Sequence, residues 1–294
     1  MELKHTAARA GRLSSFLKEE LAMSTGLMNR LKWKELLFVN GIPRHTDYAV
    51  VPGDRITVVL EEPEPGYPAQ DGDLSILYED EHILAVDKPA GMLVHPSNAV
   101  FTGTLANFVL GYYRRTGQDS AFHPITRLDR DTFGVVLLAK NAHIHALLSQ
   151  LHDRGRLRKI YFARTFGGPE PDGGIIDAPI LRKPLPSLLR EVHPEGKPSR
   201  TRFRVLERRE KTCLLELQPL TGRTHQLRVH CSYSGFPILG DPQYGSPASQ
   251  ELSGVLGIAG QQLCAGLLEF THPITGASTV ISSKLSVVSP DPGI

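Results

Sequence analysis

DTFGVVLLAKNAHIHALLSQL, residues 131–151, is the stretch on which the architecture turns. The run Val135-Val136-Leu137-Leu138-Ala139 is continuously apolar and β-branched at its start, as expected of a central strand covered on both faces. Directly after it, Ile144, Leu147, Leu148 and Leu151 recur at i, i+3, i+4 and i+7, the stripe of a helix lying on that sheet. Upstream, SILYEDEHILAVDK (residues 75–88) reads as strand, acidic turn, strand, followed by a loop broken by proline and glycine. Further strands are expected at residues 159–165, 201–206, 213–219 and 262–270. Strands dominate and crossover helices are few. The expected class is therefore α+β, with a predominantly antiparallel mixed sheet and flanking helices, rather than a doubly wound parallel sheet.

The chain changes character near residue 61. The segment EEPEPGYPAQDGD, residues 61–73, holds three prolines, two glycines and five acids, and reads as an exposed linker over residues 61–75. Before it, Leu13, Phe16, Leu17 and Leu21 form one helical stripe and Leu27, Met28 and Leu31 a second. LLFVNGIP then reads as a strand entering a tight turn at Asn40-Gly41, and VVPGDRITVVL as a turn and a strand. Residues 1–60 thus form a small module, and residues 76–294 a larger domain.

Composition sets limits on function. The chain of 294 residues is 40% hydrophobic and 22% charged, enough to bury a core. No run of about 18 apolar residues appears and no secretory signal opens the chain, so a soluble cytoplasmic protein is expected. Three separated cysteines and no clustered histidines give no metal spacing, and none is expected. The net charge is only +2, but it is segregated. Residues 61–87 carry nine acids and no Lys or Arg, whereas residues 182–211 carry ten Lys/Arg against four Glu. A second basic knot is Arg154, Arg156, Arg158 and Lys159. Such segregation suits a phosphate-facing surface or simply a solvated basic face.

Chemistry is concentrated in HPITRLDRDTFGVVLLAKN, residues 123–141. A polar cluster of Arg127, Asp129, Arg130, Asp131 and Thr132 runs into a glycine and then the buried strand. A carboxylate at the mouth of that strand, flanked by arginines, would be kept ionised and oriented, which suits a nucleophile or base. Asp129 and Asp131 also fit a glycosidase-like acid and base pair, or plain turn and capping residues.

Two resemblances extend this reading. Arg12-Leu13 with Phe16-Leu17, Val39-Asn40-Gly41, and Val51-Pro52-Gly53-Asp54 with Ile56 resemble the small RNA-binding domain named after ribosomal small-subunit protein four. That likeness implies that Arg30, Lys32 and Lys34 face RNA. The larger domain resembles the RluA-type pseudouridine synthases. The match runs through Lys88-Pro89-Ala90-Gly91 and Val94-His95-Pro96, then Arg127-Leu128-Asp129 with Thr132, Gly134 and Leu137-Leu138-Ala139-Lys140. It continues at Lys159-Ile160-Tyr161-Phe162-Ala163, at Gly196-Lys197 with Thr201, and at Leu220-Thr221-Gly222-Arg223-Thr224-His225-Gln226-Leu227-Arg228-Val229-His230. Gly240-Asp241, Tyr244-Gly245, Phe270 and His272-Pro273 complete it. Thr126, Phe133 and Cys264 depart from the pattern, standing where His, Ser and His are usual.

The resemblance implies isomerisation of uridine in structured RNA, in a catalytic cleft and without a cofactor. Asp129 would be the catalytic carboxylate acting on a flipped-out nucleotide. Tyr161 would stack on the uracil, Arg223 would pair with Asp129, Leu227 would lie under the base, and Arg127 would touch the RNA backbone or fill the vacated stack. Arg154, Arg156 and Arg158 would add phosphate contacts. The expected target is large-subunit ribosomal RNA, with transfer RNA second, and the expected state is a monomer. The alternative is a catalytically inactive RNA-binding or ribosome-assembly factor of the same fold.

Overall fold

The computed structural model describes residues 2–61, 65–97 and 99–287. Residues 62–64 of the expected linker lie outside the described residues. The protein has α+β architecture: a ten-stranded mixed sheet, a separate four-stranded sheet, and six helices among the described residues.

The first 60 residues enclose their own core. Leu13, Phe16 and Leu17 from helix Leu13–Glu19 and Leu27, Met28 and Leu31 from helix Thr25–Trp33 pack on Leu37, Val39, Ile56 and Val58 of the small sheet. Asn40 and Gly41 both adopt left-handed backbone (φ 52° and 79°), which closes the hairpin Leu37–Val39/Ile42–Pro43. The Asn40 side chain accepts from Arg55 N at 2.9 Å and donates to Asp54 at 2.7 Å, while Asp54 accepts from Val51 N at 2.9 Å. The Asn-Gly and Pro-Gly-Asp turns are therefore one interlocked unit. Strand Glu2–Thr6, which the sequence reading passed over, pairs with Arg55–Val59 at the edge of this sheet.

In the large sheet the strands run in the order Gly173–Asp177, Arg200–Arg208, Thr212–Pro219, Arg158–Phe166, Leu263–Thr271, Phe133–Ala139, Ile83–Lys88, Ser75–Glu79. Strand Phe133–Ala139 is buried at every position. Val136 and Leu138 face helix Leu105–Arg115, while Val135, Leu137 and Ala139 face helix Ala142–Asp153 through Ile144 and Leu148. Its unbroken apolar run follows from this two-sided cover. On the other half of the sheet, Ala163, Phe203, Leu215 and Leu217 pack beneath Leu227 and Cys231 of helix Gln226–Tyr233.

The two halves meet at one short parallel contact, Phe133 with Cys264 and Gly134 with Ala265; the other pairings along the sheet path are antiparallel. Beyond it Leu263–Thr271 turns to a different neighbour, Ser278–Ser282. Gly134 has φ +111° there, and a Cβ would lie 2.3 Å from the Ala265 carbonyl oxygen.

The linker is an exposed tether only in part. Tyr67, Ala69 and Leu74 pack on the core beneath helix Leu105–Arg115. Gln70 N donates to Asn107 O at 2.9 Å, and a Cβ at Gly111 would lie 2.0 Å from Gln70 O. Glycine in mid-helix is what lets the strap lie down. Among the described residues, no helix is long and apolar enough to cross a membrane.

Gly134→Ala is expected to destabilise the protein by about 2–4 kcal/mol, from the φ strain plus displacement of Ala265. A thermal or denaturant midpoint equal to that of the wild type would refute the close approach.

Candidate functional site

A cleft of about 500 Å³ opens where the half-sheets join, and Arg127, Asp129, Tyr161, Arg223 and Leu227 all line it. The five site residues implied by the sequence are thus brought to one place. The basic residues Arg30, Lys32, Lys34, Arg154, Arg156 and Arg158 are not among the residues lining it. Arg158, exposed at the start of its strand, instead pairs with Glu269 at 2.8 Å.

Asp129 sits on the turn between strands His123–Pro124 and Phe133–Ala139, and that turn is pinned from beneath. Leu128 is buried while Arg127 is exposed, so the alternation sends Arg127 to the cleft mouth. Thr126 Oγ1 accepts from Leu137 N at 3.0 Å, and Thr132 Oγ1 accepts from Gln261 Nε2 at 2.8 Å. The fully buried Lys88 ammonium donates to Pro89 O and Met92 O at 2.8 Å and to Arg130 O at 2.9 Å. Burial lowers the Lys88 pKa to about 8, against the opposing pull of Asp131 and Asp129.

The arginine that meets Asp129 is Arg228, not Arg223. Arg228 donates to Asp129 Oδ2 at 3.2 Å and grips Asp241 with two bonds of 2.7 and 2.8 Å. A further bond goes to Gln243 Oε1 at 2.8 Å, and the guanidinium lies 4.8 Å from the Tyr244 ring centroid. Burial works against its charge, but the bonds and charge of Asp241, followed by Asp129, outweigh it and raise its pKa. Arg223 stands in the turn ahead of helix Gln226–Tyr233 and donates outward to Pro198 O at 3.2 Å. Arg228 belongs to the helix itself and points inward. Both partners stood in the quoted motifs, Arg228 after Gln226-Leu227 and Asp241 after Gly240, but the burial that marks them as a pair shows only in the fold.

The cleft also gathers groups the sequence reading left unassigned. His225 adopts left-handed backbone (φ 57°) at the helix start, with Nδ1 2.7 Å from the Tyr244 hydroxyl and Nε2 3.9 Å from Asp129 Oδ1. The Tyr244 hydroxyl also accepts from Arg190 N at 2.9 Å. Burial lowers the His225 pKa, Asp129 opposing and Arg228 reinforcing the shift. Burial, then the Asp129 charge, raises the pKa of Tyr161, so this side chain is a neutral phenol beside the carboxylate. Lys159 Nζ stands 2.9 Å from His152 Nε2 in the cleft wall, its pKa lowered by burial. Among the described residues, no group of three or more His, Cys, Asp or Glu could hold a metal ion.

Lys88 generates a pH test. The folded protein releases the Lys88 proton near pH 8, whereas the unfolded chain keeps it to about 10.5. Across that window the unfolded state binds more protons, so wild-type stability rises with pH relative to Lys88→Met. Urea midpoints of the two proteins at either end of the window measure the difference. A gap that stays constant would refute a depressed lysine.

Comparison with known proteins identifies the family. The family model for RNA pseudouridylate synthase matches residues 82–233. The chain is 42% identical to the uncharacterized RNA pseudouridine synthase YlyB of Bacillus subtilis, over 81% of this chain and 78% of the relative. It is 38% identical to ribosomal large subunit pseudouridine synthase D of Nitrosomonas europaea, covering 79% and 69%, and 31% identical to ribosomal large subunit pseudouridine synthase C of Vibrio cholerae, covering 93% and 89%. The solved structure of human RNA pseudouridylate synthase domain containing 4 superposes with a TM-score of 0.58 at 26% identity, covering 72% of this chain and 88% of that one. The chain belongs to the RNA pseudouridylate synthase family, on its RluA branch, and is an isomerase acting on RNA.

Proposed function

We propose that the chain converts specific uridines of large-subunit ribosomal RNA to pseudouridine, with Asp129 as the catalytic carboxylate acting on an extruded nucleotide. The observation that carries this is the contact of Arg228 with Asp129 in a cleft walled by Tyr161 and Leu227. The buried arginine fixes one carboxylate oxygen and leaves the other toward the cleft. The reaction breaks the bond from uracil N1 to the ribose C1′, turns the base, and joins C5 to C1′. N1 gains a proton and C5 loses one, so no redox partner is required. Asp129 either attacks C1′ or removes a ribose proton, and both routes use a carboxylate beneath the sugar. Tyr161 offers a neutral aromatic face to the uracil, and Leu227 an apolar floor.

The ribosomal target draws on the large-subunit synthases among the relatives. Extraction of a base from its stack costs a few kcal/mol, so contacts outside the cleft are needed. Arg127 at the mouth, the exposed arginines 154, 156 and 158, and the N-terminal module are suited to supply them.

Ribosomal RNA transcribed with uridine tritiated at C5 tests the proposal. The wild type is expected to release tritium, and Asp129→Asn to lose about a thousandfold or more of the rate while remaining folded. Arg228→Lys is expected to cost about a hundredfold, because an ammonium cannot hold Asp241 and Asp129 together, whereas Arg223→Lys costs under about tenfold. Free uracil as product, or full activity of Asp129→Asn, would sink the proposal.

A further inference from the structure

Trp33 is the single tryptophan of the chain, and it ends helix Thr25–Trp33 with 78% of its surface exposed. The inner side of that helix is complete without it, since Leu27, Met28 and Leu31 already fill the module core. An indole on the outside therefore adds nothing to that core, and tryptophan is a residue type enriched where a protein meets a partner.

Its neighbours name the contact. Lys32 Nζ lies 5.3 Å from the indole centroid, over one face of the ring. Arg30 stands three positions back on the same exposed side and Lys34 follows at the helix end. Residues 24–34 carry these three cations and no acid. Lys34 touches Glu61 at 3.0 Å, but both side chains are more than half exposed, and such a pair yields readily to a stronger anion. A protein groove large enough for the indole would have to strip water from these cations, and lysine is depleted at the centres of protein interfaces. A nucleic-acid strand offers both parts at once: a flat base for the ring and phosphates for the ammonium and guanidinium groups.

We propose that Trp33 is a stacking platform for an unpaired base of the RNA substrate, with Arg30, Lys32 and Lys34 holding the phosphates on either side. The inference rests on the reading of the chain as an enzyme of structured RNA, and gives the N-terminal module a specific mode of grip. Stacking is tolerant of sequence, so the platform anchors the RNA while the cleft selects the uridine.

A single-stranded oligoadenylate tests it on the full chain, because it contains no uridine for the cleft. Binding is expected to quench the fluorescence of the sole tryptophan, with an affinity that falls steeply as salt rises. Trp33→Ala is expected to weaken oligoadenylate binding about tenfold or more, read by anisotropy of labelled RNA, and Trp33→Phe to retain most of it. Failure to bind at low salt, binding with unchanged fluorescence, or equal affinity of Trp33→Ala would each overturn the platform. So would fluorescence that answers RNA-free ribosomal protein but not the oligoadenylate, which would make the patch a protein contact. None of these results depends on whether Asp129 isomerises uridine, which tritium release measures separately.

Discussion

A guanidinium that is 4% exposed is stable only if its surroundings supply the polar partners that water would have given. Arg228 meets that constraint unequally. On the inner side Asp241, with its side chain fully buried, takes two bonds and is itself steadied by the backbone N–H groups of Gln243 and Tyr244. On the cleft side Asp129 receives a single, longer bond. The strong end of the network holds the arginine in place whether or not the cleft is filled, and the weak end leaves a carboxylate aimed yet not fully engaged. A buried charge that stability alone would not select thereby becomes a fixed reference for the Asp129 carboxylate.

The fold supplies this arrangement by joining two half-sheets through one short parallel strand pairing. Helix Leu105–Arg115 covers one half and helix Gln226–Tyr233 the other, while the cluster under helix Ala142–Asp153 draws on both, setting Val135 and Leu137 against Leu268, Phe270 and Ile281. The Asp129 turn comes from one half, and Arg228 and Tyr161 from the other. Gly134 sits at the seam, where backbone must touch backbone, and Gln261 reaches across it to Thr132. Lys88 ties the turn from below through carbonyl oxygens alone, which fixes the main chain while leaving the Asp129 side chain to the arginine.

Much of this was legible in the sequence where periodicity and burial coincide. The apolar run at 135–139 marked the doubly covered strand, and the stripe from Ile144 to Leu151 marked its helix, because both faces and spacing are set by packing. The helix Gln226–Tyr233 was not legible as such. Its buried Gln226, Arg228 and His230 are polar, and they break the apolar period while bonding to strand and loop atoms far away in sequence. For the same reason the pairing of Asp129 fell to the wrong arginine: local sequence does not say which of two arginines five residues apart faces inward. The strap at 67–74 looked like free linker because Tyr67, Ala69 and Leu74 are sparse among prolines, glycines and acids, and the rest of what holds it is backbone bonding and the missing side chain at Gly111.

The contact between Asp129 and Arg228 spans 99 positions of the chain, and the contact between Thr132 and Gln261 spans 129. During synthesis the carboxylate emerges long before the arginine that aims it and the glutamine that closes the seam. A chain still being made therefore carries Asp129 unaimed, and order of emergence keeps the cleft unassembled until the second half-sheet has folded against the first. Premature termination anywhere between Asp129 and Arg228 leaves a fragment that holds Asp129 and lacks the partner that orients it.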